Sequence, residues 1–71
     1  MRDVPLETGI VAVGGERVDA WAFAHLGGVP SRSNARKRVK AGLIRLNGER
    51  VESSRVVREG DVVALHPDPD A

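Results

Sequence analysis

Residues 31–50 read SRSNARKRVKAGLIRLNGER, and the structural period of this stretch changes halfway along. Up to Ala41 the apolar residues Ala35 and Val39 recur at helical spacing, whereas Leu43, Ile44, Arg45 and Leu46 suit a short strand with Ile44 and Leu46 turned inward. Ser31 is a good N-cap, Pro30 before it excludes a continuing helix, and Gly42 marks the stop. Asn34 gives only a weak capping box, since Glu or Gln is the usual partner at that position. Asn47-Gly48 is the strongest short hairpin signal, with residues 49–51 expected to return antiparallel. A helix leading straight into a hairpin predicts an α+β fold.

The same stretch concentrates charge. It holds seven cations, Arg32, Arg36, Lys37, Arg38, Lys40, Arg45 and Arg50, against one acid, Glu49, a local balance of +6. The rest of the chain has four cations and nine acids, so the formal total of +1 conceals a strong asymmetry. On a helix, Arg32, Arg36 and Lys40 form an i, i+4, i+8 row beside the Ala35 and Val39 stripe, with no acid three or four residues away inside the segment. Such like-charge neighbours cost roughly 1 kcal/mol against a total stability of ~5 kcal/mol. A solvated basic face is the plain explanation. A polyanion is the functional one, because phosphates spaced along a backbone reward a row of cations through counterion release.

Towards the N-terminus, Val18, Trp21, Ala22 and Leu26 fall at helical spacing, Asp19 sits in the first turn where the helix dipole favours an anion, and Gly27-Gly28 supply a stop. Trp21 is the expected largest core residue. Phe23 lies to one side of the stripe, where it either packs under the N-terminal lead-in, the favoured expectation, or stands exposed as a stacking surface for a base. Before this helix, Pro5, Gly9, Gly14 and Gly15 surround a β-prone segment at residues 10–13 that could add an edge strand. Towards the C-terminus, Ser53-Ser54-Arg55 reads as a loop and Gly60-Asp61 as a turn into a last strand over residues 62–65. The expected organisation is an extended lead-in over residues 1–16, one domain over residues 17–66 and a disordered acidic tail over residues 67–71.

With 71 residues, 41% of them hydrophobic and 30% charged, the chain suits one small globular domain. Cysteine is absent, which excludes disulfides and thiolate zinc sites and suits a reducing cytoplasm. The apolar runs are far shorter than the roughly 20 residues that cross a bilayer, and no signal-peptide pattern opens the chain. No metal-ligand cluster, cofactor motif or nucleophile motif is visible, so no enzymatic activity is expected. His25 near a helix end is expected to cap carbonyls, and His66 beside Pro67 to be solvated.

In order along the chain, RVDAWAF (17–23), SRSNARKRVKAG (31–42), IRLNGERV (44–51) and SSRVVREGDVVAL (53–65) resemble the RNA-binding domain named after the fourth protein of the small ribosomal subunit, the S-four domain or αL motif. Trp21 followed by Phe23 resembles the small single-domain bacterial members, such as heat-shock proteins and quality-control factors that act on the free large ribosomal subunit. The resemblance implies an α+β fold in which a two-helix αL motif packs on a small antiparallel sheet of three to four strands. It implies a non-catalytic module for structured RNA, ribosomal or transfer, with Arg32, Ser33, Arg36, Lys37 and Lys40 of the second helix at the RNA. Asn47 and Gly48 would shape the hairpin beside them, and Arg45 and Arg50 would extend the positive surface. The chain departs from the family pattern at Val18, where Leu is usual, at Asn34 and Glu49, and at Arg38, whose stem would cover core while its head joins the charged face.

Two other readings use the same residues. The helix pair joined by Gly27-Gly28-Val29-Pro30 resembles a helix-turn-helix for duplex DNA, which would need the second helix to project and usually a dimer, although no dimer seam is visible and a monomer is expected. The Asn-Gly hairpin and the Gly-Asp before the last strand also resemble small β-grasp carrier proteins, but those carriers need a C-terminal Gly-Gly, and this chain ends Asp70-Ala71.

Overall fold

A computed structural model describes residues 4–69, so the end of the expected tail at Asp70 and Ala71 lies outside the described residues. The elements follow as β1 (Glu7–Ile10), α1 (Val18–His25), α2 (Arg32–Lys40), β2 (Ile44–Leu46) and β3 (Val62–Leu65). The strands form one antiparallel sheet in the order β1-β3-β2. Two helices on a three-stranded sheet make an α+β fold, in the lower part of the expected strand count. No helix of the described residues is long and apolar enough to cross a membrane.

The central strand explains the order. β3 reads VVAL, with Val63, Ala64 and Leu65 all buried, so it needs a partner on each edge. In register, Ile44 and Glu7 flank Leu65, and Leu46 and Gly9 flank Val63, which sets Ile44, Leu46, Val63 and Leu65 on one face. Those four residues join Trp21, Ala22, Leu26, Ala35 and Val39 in one core, two layers deep. Trp21, 3% exposed, lies so close over β1 that a Cβ on Gly9 would stand 2.8 Å from its ring, and only glycine fits there.

Local signals set the ends of α2. The Ser31 hydroxyl accepts the Asn34 N–H at 3.0 Å, as an N-cap should. At the other end Gly42 has φ +79, and the N–H groups of Gly42 and Leu43 donate to the carbonyls of Val39 and Arg38 at 3.0 and 2.8 Å. This is a Schellman stop, which a left-handed glycine permits at low cost. Asn47 and Gly48 both have positive φ and close a two-residue turn between Leu46 and Glu49.

Four expectations are corrected. The first strand begins at Glu7 rather than Ile10, because pairing with β3 decides it and Val11 already turns into the core. At Val11 the pairing bulges, with the Val11 N–H donating to Asp61 and its carbonyl accepting from Gly60, both at 2.8 Å. Residues 49–51 form no returning strand; a single bridge joins Glu49 to Leu46, and β3 takes the place beside β2. His25 caps no carbonyl. Its ring stacks on Trp21 with centroids 4.5 Å apart, while the carboxylate of Glu7 accepts the N–H groups of Gly27 and Gly28 at 2.8 and 3.0 Å just past α1. His66 is half-buried and its N–H donates to the Leu43 carbonyl at 2.6 Å, so it prolongs the pairing instead of standing in solvent.

Two carboxylates fasten this frame. Backbone donation from Gly27 and Gly28 holds the Glu7 carboxyl below its ordinary range, and the Asn47 amide, with the Arg58 N–H, does the same to Asp61. A lowered folded-state pKa means that the contribution is complete above the ordinary carboxylate pKa and is lost as pH falls through the folded value. Thermal stability should therefore decline on acidification through and below about pH 4, and E7Q and D61N should each flatten that decline in a pH series of melting curves. Asn47→Ala should cost about 1–2 kcal/mol, because its side chain also accepts the Val62 N–H at 2.9 Å; a melt within error of wild type would contradict the strut role.

Candidate nucleic-acid interface

α2 has only two buried residues, Ala35 and Val39, and their burial fixes the rotation of the helix. With that stripe inward, Arg32, Arg36 and Lys40 lie along one flank, and Ser33 and Lys37 occupy the outer surface next to them; all five are exposed. Among the described residues, no carboxylate is within ion-pair distance of Arg32, Lys37 or Lys40.

Arg36 differs: the segment itself offers it no acid, as expected, but one reaches it from α1. Asp19 of α1 is 1% exposed, and its Oδ2 stands 3.2 Å from Arg17 Nη2 and 3.7 Å from Arg36 Nε; its Oδ1 accepts the Ala20 N–H at 2.8 Å. The Asp19 position was legible as a first-turn anion, but a contact spanning 17 residues leaves no mark in local spacing. Arg36 is nonetheless 54% exposed at its side chain, and at 3.7 Å the ion pair is longer than a hydrogen bond, so most of the guanidinium's donors stay available to solvent or a ligand. A buried acid here neutralises part of the cation's charge.

The other cations divide by what holds them. Arg38 does not join the charged face; it lies on the opposite flank of α2, and its Nη1 donates to the Gly28 carbonyl at 2.9 Å. Arg45 Nε donates to the Gly42 carbonyl at 2.9 Å, and Arg50 Nη2 to the Lys40 carbonyl at 3.3 Å. The Lys40 carbonyl belongs to the negative end of the helix dipole and draws Arg50, while the Gly42 carbonyl just past the C-cap takes Arg45, so both arginines gather near the end of α2. Arg50 lies directly across Gly42, where a Cβ would meet its Nε at 2.6 Å. Beside Lys40 an open hollow of about 400 Å³ is lined by Val51, Glu52, Ser53 and Ser54, of which the sequence places Val51 in a returning strand and Ser53 and Ser54 in a loop.

Asn47 and Gly48 shape the hairpin, as the resemblance implied, and the Asn47 side chain also ties the hairpin to the last strand. Asn47 Nδ2 donates to Asp61 Oδ1 at 3.0 Å while its Oδ1 accepts from Val62, so this side chain is committed to the fold. Gly48 stands in open space at the tip. The structure thus brings Arg32, Ser33, Arg36, Lys37 and Lys40 together on one helix, with Arg45 and Arg50 at its end, and turns the Asn47 amide towards β3. Among the described residues, no group of three or more His, Asp or Glu is placed to hold a metal ion.

Comparison with protein-family models gives a match to the S4 domain over residues 16–63. Comparison with curated proteins and with solved structures gives no match.

Asp19 gives this face a direct test. D19N should lower stability by about 1–2 kcal/mol, less than for a fully buried pair because Arg17 and Arg36 are 43% and 54% exposed. R36E would set a second anion against the buried Asp19 and should destabilise as well, whereas R32E should leave the melting temperature unchanged or slightly raised. Equal melting shifts for R32E and R36E would show that Asp19 does not discriminate between them.

Proposed function

The chain belongs to the S4 domain family, a family of RNA-binding domains, and on that premise we propose that it holds structured RNA against the outer face of α2 without catalysing a reaction on it. The observation that carries this reading is the rotation of α2, which buries Ala35 and Val39 and leaves Arg32, Arg36, Lys37 and Lys40 exposed together. An A-form helix hides its base edges in a deep, narrow major groove, so a short cationic helix meets phosphates and 2′-hydroxyls. Base-specific readout is correspondingly weak, and shape together with charge does the selecting. Arg32, Lys37 and Lys40 supply exposed contacts, Arg36 a guanidinium paired with Asp19, and Arg45 and Arg50 a positive end to the groove. Ser33 adds a hydroxyl beside them.

Ribosomal or transfer RNA is the RNA class proposed, because both present rigid duplex segments to a surface of this size, and the large ribosomal subunit is the assembly proposed. The protein acts as a monomer in the cytoplasm, with neither cofactor nor metal. A helix that buries its apolar stripe against β2 and α1 is poorly placed to enter the major groove of duplex DNA, which is why RNA is preferred over that alternative.

Salt titration of binding to an RNA hairpin tests the proposal. If four to six phosphates are neutralised, log K should fall against log salt with a slope of about −3 to −5, and R32E should reduce both affinity and slope. A slope near zero, or tighter binding to duplex DNA of equal length in competition, would remove the reading.

A further inference from the structure

Phe23 is the one phenylalanine of the chain and stands 42% exposed on α1, so the expectation that it packs under the lead-in is not met. Exposure alone says little, since single apolar side chains are common on surfaces. Its position says more. Phe23 follows Asp19 by four residues, which places their Cβ atoms about 6 Å apart on the same side of α1. Asp19 is the acid that holds Arg36 of α2. The exposed ring therefore lies one helical turn along α1 from the acid that faces Arg36, on the flank of α1 turned towards α2. Of the other large exposed apolar residues, Leu6, Ile10 and Val13 lie on or beside β1, at the sheet edge away from β2, and Val4, Val56 and Val62 offer no ring for a base to stack on. The second ring exposed on α1, His25, is on the opposite flank of the helix and is already stacked on Trp21.

We infer that Phe23 is a stacking platform for an unpaired base of the same RNA that α2 holds by its phosphates. This rests on the RNA-binding reading above and adds to it: the preferred ligand is a duplex segment flanked by single-stranded nucleotides, not a blunt stem. Duplex phosphates lie along Arg32, Arg36, Lys37 and Lys40, and where pairing ends the next base is free to leave the stack and cover the ring. Every base has a π-face, so the contact selects for unpaired structure and not for base identity. The neighbouring cations hold the backbone close enough for the base to reach, which an isolated aromatic could not do.

The test uses the full chain as wild type, F23A and F23W, with two RNAs: a blunt stem, and the same stem carrying single-stranded extensions at both ends with 2-aminopurine next to the duplex. Wild type should bind the extended RNA more tightly and quench the 2-aminopurine fluorescence. F23A should lose about 5- to 100-fold in affinity for the extended RNA together with the quenching, keep wild-type affinity for the blunt stem and keep the same salt slope; F23W should restore both signals. Because Phe23 is 42% exposed and the rest of it is covered, F23A should melt modestly below wild type while staying folded at the assay temperature, and F23W, which keeps the covered part, should melt close to wild type. If wild type binds the blunt stem with the expected salt slope but F23A binds the extended RNA as wild type does, the platform is overturned and the phosphate reading stands. If wild type binds neither RNA in a salt-dependent way, both fall together.

Discussion

The rotation of α2 is the constraint from which the rest of the surface follows. A nine-residue helix with five cations and two apolar side chains has one way to contribute to a core, which is to bury both Ala35 and Val39. Burying a valine is worth about 1.5–3 kcal/mol, a large share of the stability of a domain this small, so the helix cannot turn its apolar stripe outward without losing the fold. Exposure of Arg32, Arg36, Lys37 and Lys40 on adjoining surfaces is then geometry and needs no further cause. The sheet serves this arrangement: β2 with β3 supplies Ile44, Leu46, Val63 and Leu65 as the floor under the helices, and Glu7 at the edge ties down the chain between α1 and α2.

Charge on this molecule is organised more finely than a count reveals. Asp19 pairs with Arg36 at 3.7 Å and leaves it 54% exposed; carbonyls at and just past the end of α2 gather Arg50 and Arg45; the Gly28 carbonyl holds Arg38 on the far flank. One carboxylate and three backbone carbonyls thus engage four of the seven cations, which leaves an exposed row along α2, a clustered end and a structural strut. Such sorting suits a ligand with phosphates at fixed separation better than one recognised through net charge, since the net charge is only +1.

Much of the fold was legible because its signals are local. Ser31, Gly42 and the Asn47-Gly48 pair each specify backbone geometry within a few residues, and the alternation at residues 43–46 marks the inward pair correctly. The stretches that eluded reading depend on distant partners. β1 contains Gly9, a poor strand former, and exists because β3 needs a second edge. Residues 49–51 carry strand-like composition but leave the sheet, and Arg50 among them reaches the end of α2. For the candidate site, helical spacing placed the row of cations, while Asp19 against Arg36 and the Asn47 amide against Asp61 are contacts across 17 and 14 residues that no spacing rule encodes. Phe23 was ambiguous for a related reason: a residue at the margin of a helical stripe is placed inside or outside by the neighbouring element.

The central claim is that one face, the outer surface of α2 with the arginines at its end, takes the RNA. Amide chemical-shift mapping by NMR during titration with an RNA hairpin addresses it residue by residue. Shifts concentrated at Arg32, Ser33, Arg36, Lys37, Lys40, Arg45 and Arg50, with β1 and the outer side of β3 quiet, are what the account predicts. Shifts centred on Thr8, Ile10 and Val62, or scattered evenly over the domain, would contradict it.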